Sequence, residues 1–117
     1  MTWHYMIMDQ NIANACMLYE GGKTMCIDPS LPIFRLMGKR YTMFILGVIG
    51  NNNTRKNFND IVKSIPGSSR TIIAKRIRDL IQAGMIKRCH NKVLSYELTE
   101  LGYKIRKGII CFLEELG

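Results

Sequence analysis

Residues 66–86 constrain this chain more than any other stretch. Pro66-Gly67 forces a turn, Ser69 is placed to cap a helix that begins at Arg70, and Gly84 stops that helix just before Met85-Ile86 opens a strand. Ile73, Ile77, Leu80 and Ile81 recur at helical spacing and form an inward stripe. Thr71, Lys75 and Arg78 fall on the opposite side of the wheel, with Ile72 to one side. A helix so divided lies with one side on a core and the other on something anionic.

The charge distribution agrees. Residues 35–92 hold thirteen Lys and Arg against Asp60 and Asp79 alone, a surplus of eleven. Residues 1–34 and 93–117 run small deficits of two and one, which leaves the net charge of +8. The basic excess is focused on the segment around the capped helix, the electrostatic footprint expected where a protein meets phosphate.

At 117 residues and 47% apolar content the expectation is one globular domain, with a core that needs no disulfide. No run of 18 apolar residues suggests a transmembrane helix. The N-terminus lacks a basic region and meets Asp9 early, unlike a signal peptide, so a cytoplasmic protein is expected. Cys16, Cys26, Cys89 and Cys111 form no C-x-x-C pair, and His4 and His90 stand at no zinc spacing from them. Four free thiols are expected, Cys111 as a buried small hydrophobe, with no metal and no cofactor.

Along the chain, Asp9 could cap a helix running to about Glu20 and ended by Gly21-Gly22, while Trp3, Tyr5 and Ile7 alternate as a strand would. Pro29 and Pro32 introduce a short helix with Ile33, Phe34, Leu36 and Met37 turned inward. Tyr41 to Ile49 is apolar on most sides, which predicts a buried central helix ended by Gly50 and three Asn. Phe58, Ile61, Val62 and Ile65 give one face of a two-turn helix. Met85 to Cys89 and Val93 to Leu98 predict a β-hairpin with a basic tip. Thr99 caps a last helix whose stripe, Leu101, Ile105, Ile109, Phe112, Leu113 and Leu116, exceeds what so small a core needs and points to a partner.

The fold class that follows is mostly α with a small β-hairpin wing, a winged helix-turn-helix over residues 26–117 behind an extension of residues 1–25. With these elements in order, the chain resembles the HxlR family of transcriptional regulators. Tyr41-Thr42-Met43-Phe44-Ile45-Leu46 looks like its W-T-L-L-I-L, and Phe58-Asn59-Asp60-Ile61 like F-N-E-L. Pro66-Gly67 through Gly84 matches P-G-I-S-P-R-M-L-S-R-R-L-K-E-L-E-E-D-G without a gap, and Tyr96 to Gly102 resembles Y-x-L-T-x-x-G. The resemblance implies a homodimer on duplex DNA with a pseudo-palindromic operator, and an oxidant or small molecule as effector. It also points to Cys26, at the family's N-terminal Cys, as a redox residue. Two departures stand out: the hairpin lacks the family's P-P-R-V-E portion, and Cys26 is followed by Ile27 rather than Pro and lies further from Tyr41.

The candidate DNA contacts are Ser68, Ser69, Arg70, Thr71, Lys75 and Arg78 on and before the capped helix, Arg88, His90, Asn91 and Lys92 on the hairpin, and Lys39 and Arg40. Thr71 and Lys75 are expected at base edges, and Ser69 and Arg78 at phosphate. The candidate dimer surface is the Leu101–Leu116 stripe. No paired carboxylates, G-x-S-x-G, H-E-x-x-H or phosphate loop supports an enzyme. The competing class is a winged-helix module for protein or RNA, although RNA-binding motifs with stacking aromatics are absent.

Overall fold

The computed structural model describes residues 16–90 and 93–117. They belong to two units, Met1–Gly38 and Lys39–Gly117, and the boundary expected after residue 25 falls within the first.

In the first unit, β1 (Cys16–Glu20) and β2 (Lys23–Ile27) pair antiparallel, with Met17 opposite Cys26 and Glu20 opposite Lys23. The helix expected to run to Glu20 is therefore corrected to a strand over residues 16–20. The rest of that stretch lies outside the described residues. The reason is Gly21-Gly22: both adopt left-handed angles (φ 56° and 77°), the two-residue turn whose twist matches a hairpin. After β2 the Asp28 carboxylate accepts from the Ser30 amide at 2.9 Å and its hydroxyl at 2.7 Å. These two bonds hold the Asp28 carboxyl below its ordinary range. Helix α1 (Pro32–Met37) then starts on Pro32, whose missing N–H costs nothing at a first turn. Leu36 is buried, but Phe34 is exposed, so the expected inward set loses that residue.

The second unit is built around α2 (Thr42–Ile49). It packs against α3 (Phe58–Ser64), α4 (Arg70–Gln82), β4 (Leu94–Leu98) and α5 (Glu100–Leu116). Thr42, Ile45, Leu46 and Ile49 are buried there with Ile61, Ile73, Ile77 and Leu80. Each of the Ile and Leu side chains among them contributes roughly 1.5–3 kcal/mol by leaving water. The expectation of an all-round buried α2 needs correction: Met43 and Phe44 stay exposed, Phe44 to 67%, because neighbours cover only the Ile45–Ile49 side.

β3 (Ile86–His90) and β4 form the expected hairpin, with Ile86 opposite Leu98 and Lys87 opposite Glu97. Lys56 adds a one-residue third strand: its amide donates to the Tyr96 carbonyl at 3.1 Å, and the Tyr96 amide donates back at 2.7 Å. Thr99 caps α5 by accepting from the Gly102 amide at 3.1 Å. Arg106 then ties α5 to the end of α2, donating to the Gly47 carbonyl and the Asn51 side chain, each at 3.0 Å. The expectation of a buried Cys111 is corrected as well. It is exposed on α5, on a side that no described element covers.

Candidate nucleic-acid interface

The α3–turn–α4 unit is assembled by local chemistry. Asn57 and Asp60 bond reciprocally: the Asp60 amide donates to Asn57 Oδ1 at 2.8 Å and the Asn57 amide to Asp60 Oδ2 at 3.1 Å. Pro66 and Gly67 (φ 77°) occupy the middle of a turn closed by the Ser68 amide on the Ile65 carbonyl at 3.2 Å, as a type II turn requires. Ser69 Oγ accepts from the Ile72 amide at 3.4 Å and opens α4. At the other end Gly84 (φ 77°) completes a Schellman stop. Its amide donates to the Ile81 carbonyl and that of Met85 to the Leu80 carbonyl, each at 3.0 Å. Met85 and Leu80, the apolar pair that accompanies this motif, are both buried.

With Ile73, Ile77 and Leu80 in the core, α4 turns Thr71, Lys75 and Arg78 outward, and all three are exposed. Lys75 and Arg78 have no ion-pair partner among the described residues. Arg70 is exposed but engaged. Its Nη2 donates to Asn59 Oδ1 at 2.9 Å, and its guanidinium lies 5.0 Å over the Phe58 ring, which binds the start of α4 to α3. Ser68 is half-buried, and its hydroxyl oxygen is shielded from solvent without a hydrogen-bond partner.

Lys39 and Arg40 precede α2. Lys39 Nζ stands 3.6 Å from Asp79 Oδ2, whereas Arg40 is exposed with its guanidinium 4.8 Å over the Tyr41 ring. On the wing, Arg88 and His90 are exposed on β3, while Asn91 and Lys92 lie outside the described residues. Helix α4, the turn before α2 and the wing thus supply the described cationic groups.

Sequence reasoning passed over the groups that neutralise part of this charge. Arg76 Nη1 donates to Asp79 Oδ2 at 2.8 Å, and its Nε donates to the Arg40 carbonyl at 3.1 Å. The i,i+3 spacing of Arg76 and Asp79 was the available signal, but nothing local predicts the bond to Arg40. On the wing, Glu97 pairs with Lys87 at 3.2 Å and Arg55 at 3.3 Å. The hydrogen bond from Lys87, then one from the Cys89 thiol, then one from Arg55 hold the Glu97 carboxyl below its ordinary range. Burial first, and then the adjacent Glu97 carboxylate, push the Cys89 thiol up. In the α3–α4 region both carboxylates are therefore occupied, Asp60 by a cap and Asp79 by cations, so neither offsets the outward face of α4.

On α5, Leu101, Phe112, Leu113 and Leu116 are exposed. Ile105 is half-buried, and Ile109 is buried within the single chain. Cys26 is a half-buried free thiol on β2. Lys23 is an odd number of residues from Cys26 on the same strand and so emerges on the opposite face.

A family model for the HxlR-like helix-turn-helix matches residues 36–117. The chain is similar to a crystal structure described as a possible HxlR family transcriptional factor from Thermoplasma volcanium GSS1. That match has 45% identity and a TM-score of 0.82, and covers 87% of this chain and 94% of that one. It is also similar to the reduced form of the transcriptional regulator YodB from B. subtilis, with 27% identity, a TM-score of 0.61 and coverage of 70% and 82%. The quinone-bound form of YodB gives 27% identity, a TM-score of 0.57 and coverage of 71% and 91%. No curated protein matches the chain with significance.

Proposed function

Since this chain belongs to the HxlR-like helix-turn-helix family, we propose that it is a DNA-binding transcription regulator that acts as a homodimer on a pseudo-palindromic operator. The observation that carries the reading is α4 itself. It is capped by Ser69, fixed on one side by Ile73, Ile77 and Leu80, and bare on the other at Thr71, Lys75 and Arg78. Such a helix enters a major groove with its N-terminal half, so Thr71 and Lys75 meet base edges and Arg78 meets phosphate. Arg88 and His90 on the wing add backbone contacts beside it.

The dimer rests on the apolar row of α5. Leu101, Phe112, Leu113 and Leu116 remain exposed in the single chain, the last three clustered at the end of α5, and exposed apolar side chains grouped in this way mark a partner surface. Two copies related by a two-fold axis set their α4 helices in grooves roughly 10 bp apart, or a multiple of that. Cys26 is the thiol on which an oxidant or electrophile would act. YodB, solved in reduced, diamide-treated and quinone-bound forms, supports looking for such a response here.

The test is footprinting of genomic DNA fragments, its own promoter first, with purified protein, followed by a salt titration on the protected site. Protection of two half-sites in phase, with affinity falling steeply between low and moderate salt, is expected. A flat salt response, or equal affinity for a hairpin RNA, rejects the reading in favour of an RNA- or protein-binding module.

A further inference from the structure

A bond between the recognition helix and the turn before α2 has a role that charge alone does not supply. Arg76 is only 13% exposed and joins two partners at once: Nη1 to Asp79 Oδ2 at 2.8 Å, and Nε to the Arg40 carbonyl at 3.1 Å. Lys39 Nζ reaches the same carboxylate oxygen at 3.6 Å. Residues 39 and 40 are thereby fastened to α4 by a side chain and by the main chain. The next residue, Tyr41, is held at φ 72°, a left-handed conformation that a bulky side chain rarely takes unless its surroundings impose it. The Thr42 amide closes this turn from within, donating to the Lys39 carbonyl at 3.4 Å, and the bonds to α4 hold it from outside.

Arg40 is what the turn presents. It is exposed, and its guanidinium carbon stands over the Tyr41 ring, 4.8 Å from the centroid. A cation–π contact takes up no hydrogen-bond acceptor, so the fork of N–H donors that matches phosphate keeps its capacity. On the helical wheel Asp79 and Arg76 follow Lys75 on the side away from Arg78, so the turn is fastened along the Lys75 edge of α4. Arg78 flanks Lys75 on one side and the fastened turn flanks it on the other.

We propose that Arg76 is a positioning residue for DNA binding: braced by Asp79, it holds the Arg40 turn against α4 so that Arg40 grips a backbone phosphate on the Lys75 side of the groove. The proposal rests on the DNA-binding reading above and adds to it a fixed phosphate clamp outside the recognition helix.

The test measures the salt dependence of binding to a 30-bp mixed-sequence duplex for wild type, Arg40→Ala, Arg76→Lys and the double variant, with each protein's melting temperature recorded. Lysine keeps the charge of Arg76 but replaces its two spaced donors, Nε and Nη1, by a single nitrogen. Arg40→Ala should reduce the slope of log affinity against log salt by about 0.9 per chain, the value of one phosphate. Arg76→Lys should reduce it by a similar amount, and the double variant no further. An Arg76→Lys slope equal to wild type, or two losses that simply add, overturns the proposal. Asp79→Ala gives an independent reading should Arg76→Lys fail to fold. Loss of a negative charge near DNA would by itself tighten binding, whereas loss of the brace weakens it and lowers the slope. Tighter binding by folded Asp79→Ala therefore overturns the proposal. Wild type that binds no duplex at any salt removes the DNA-binding reading itself, a result distinct from equal slopes.

Discussion

Gly102, in the first turn of α5, lies so close to the Met85 carbonyl that a methyl group built on it would overlap the oxygen. Met85 ends the stop of α4, and its carbonyl also accepts from the Thr99 amide at 3.0 Å. Helix α4, the wing and α5 therefore converge on one peptide, and a side chain at residue 102 would push them apart. Gly102→Ala should destabilise the fold by about 1–3 kcal/mol, as overpacking does. Urea unfolding of the variant measures this, and an unchanged midpoint would show that the contact yields freely.

The proposed reading gives Lys75 to base edges and Arg78 to phosphate. Lys75→Ala should lose about 1–3 kcal/mol of discrimination between operator and scrambled duplex. Arg78→Ala should weaken both duplexes alike, because phosphate carries no sequence information. Competition assays separate the two, and identical behaviour would mean that the faces of α4 have been assigned wrongly.

Phe112 is 56% exposed on α5, so its truncation costs the single chain less than the ~3–5 kcal/mol of a fully buried Phe. At a dimer interface the same ring is an anchor worth about 2 kcal/mol or more, roughly thirtyfold in dissociation constant. Phe112→Ala should sediment as a folded monomer at concentrations where wild type is a dimer. Dimer retained at the wild-type strength would place the interface elsewhere.

Glu97 ties β4 to β3 through Lys87 and to the segment beside Lys56 through Arg55, and its carboxyl is held below its ordinary range. A depressed carboxylate stabilises the fold fully above its unfolded value, about pH 4.3, and loses that contribution as pH falls through the lower folded value. The acid limb of stability should therefore shrink in Glu97→Gln. The same variant removes the carboxylate that helps to raise the Cys89 thiol, so Cys89 should alkylate faster at neutral pH. Melting curves between pH 3 and 7, a range chosen about that window, and timed alkylation check both effects.

Cys26 predicts an oxidant response that its serine variant lacks. Wild type should lose operator affinity after a mild peroxide or quinone pulse and regain it with reductant, whereas Cys26→Ser should bind throughout. Binding that survives the pulse in wild type, or fails equally in Cys26→Ser, would move regulation to another group.

The α3–turn–α4 unit was legible from the sequence because its determinants act over a few residues. Asn57 and Asp60 cap one helix, Pro66-Gly67 sets a turn, Ser69 opens the next helix and Gly84 closes it. The apolar period then decides which side of α4 meets the core, and so leaves Thr71, Lys75 and Arg78 outside. Residues 16–20 were ambiguous for the opposite reason. Met17, Leu18 and Tyr19 are all exposed on the strand, so no alternation marks a buried face, and only the pairing of Met17 with Cys26 across Gly21-Gly22 makes it a strand. Packing likewise decided that α2 hides Ile45, Leu46 and Ile49 but leaves Phe44 in water. The bonds of Arg76 to Arg40 and of Arg106 to Gly47 join residues 36 and 59 apart in sequence. Local propensity carries no information about such pairs. They form only when a buried core brings two helices within reach of one side chain.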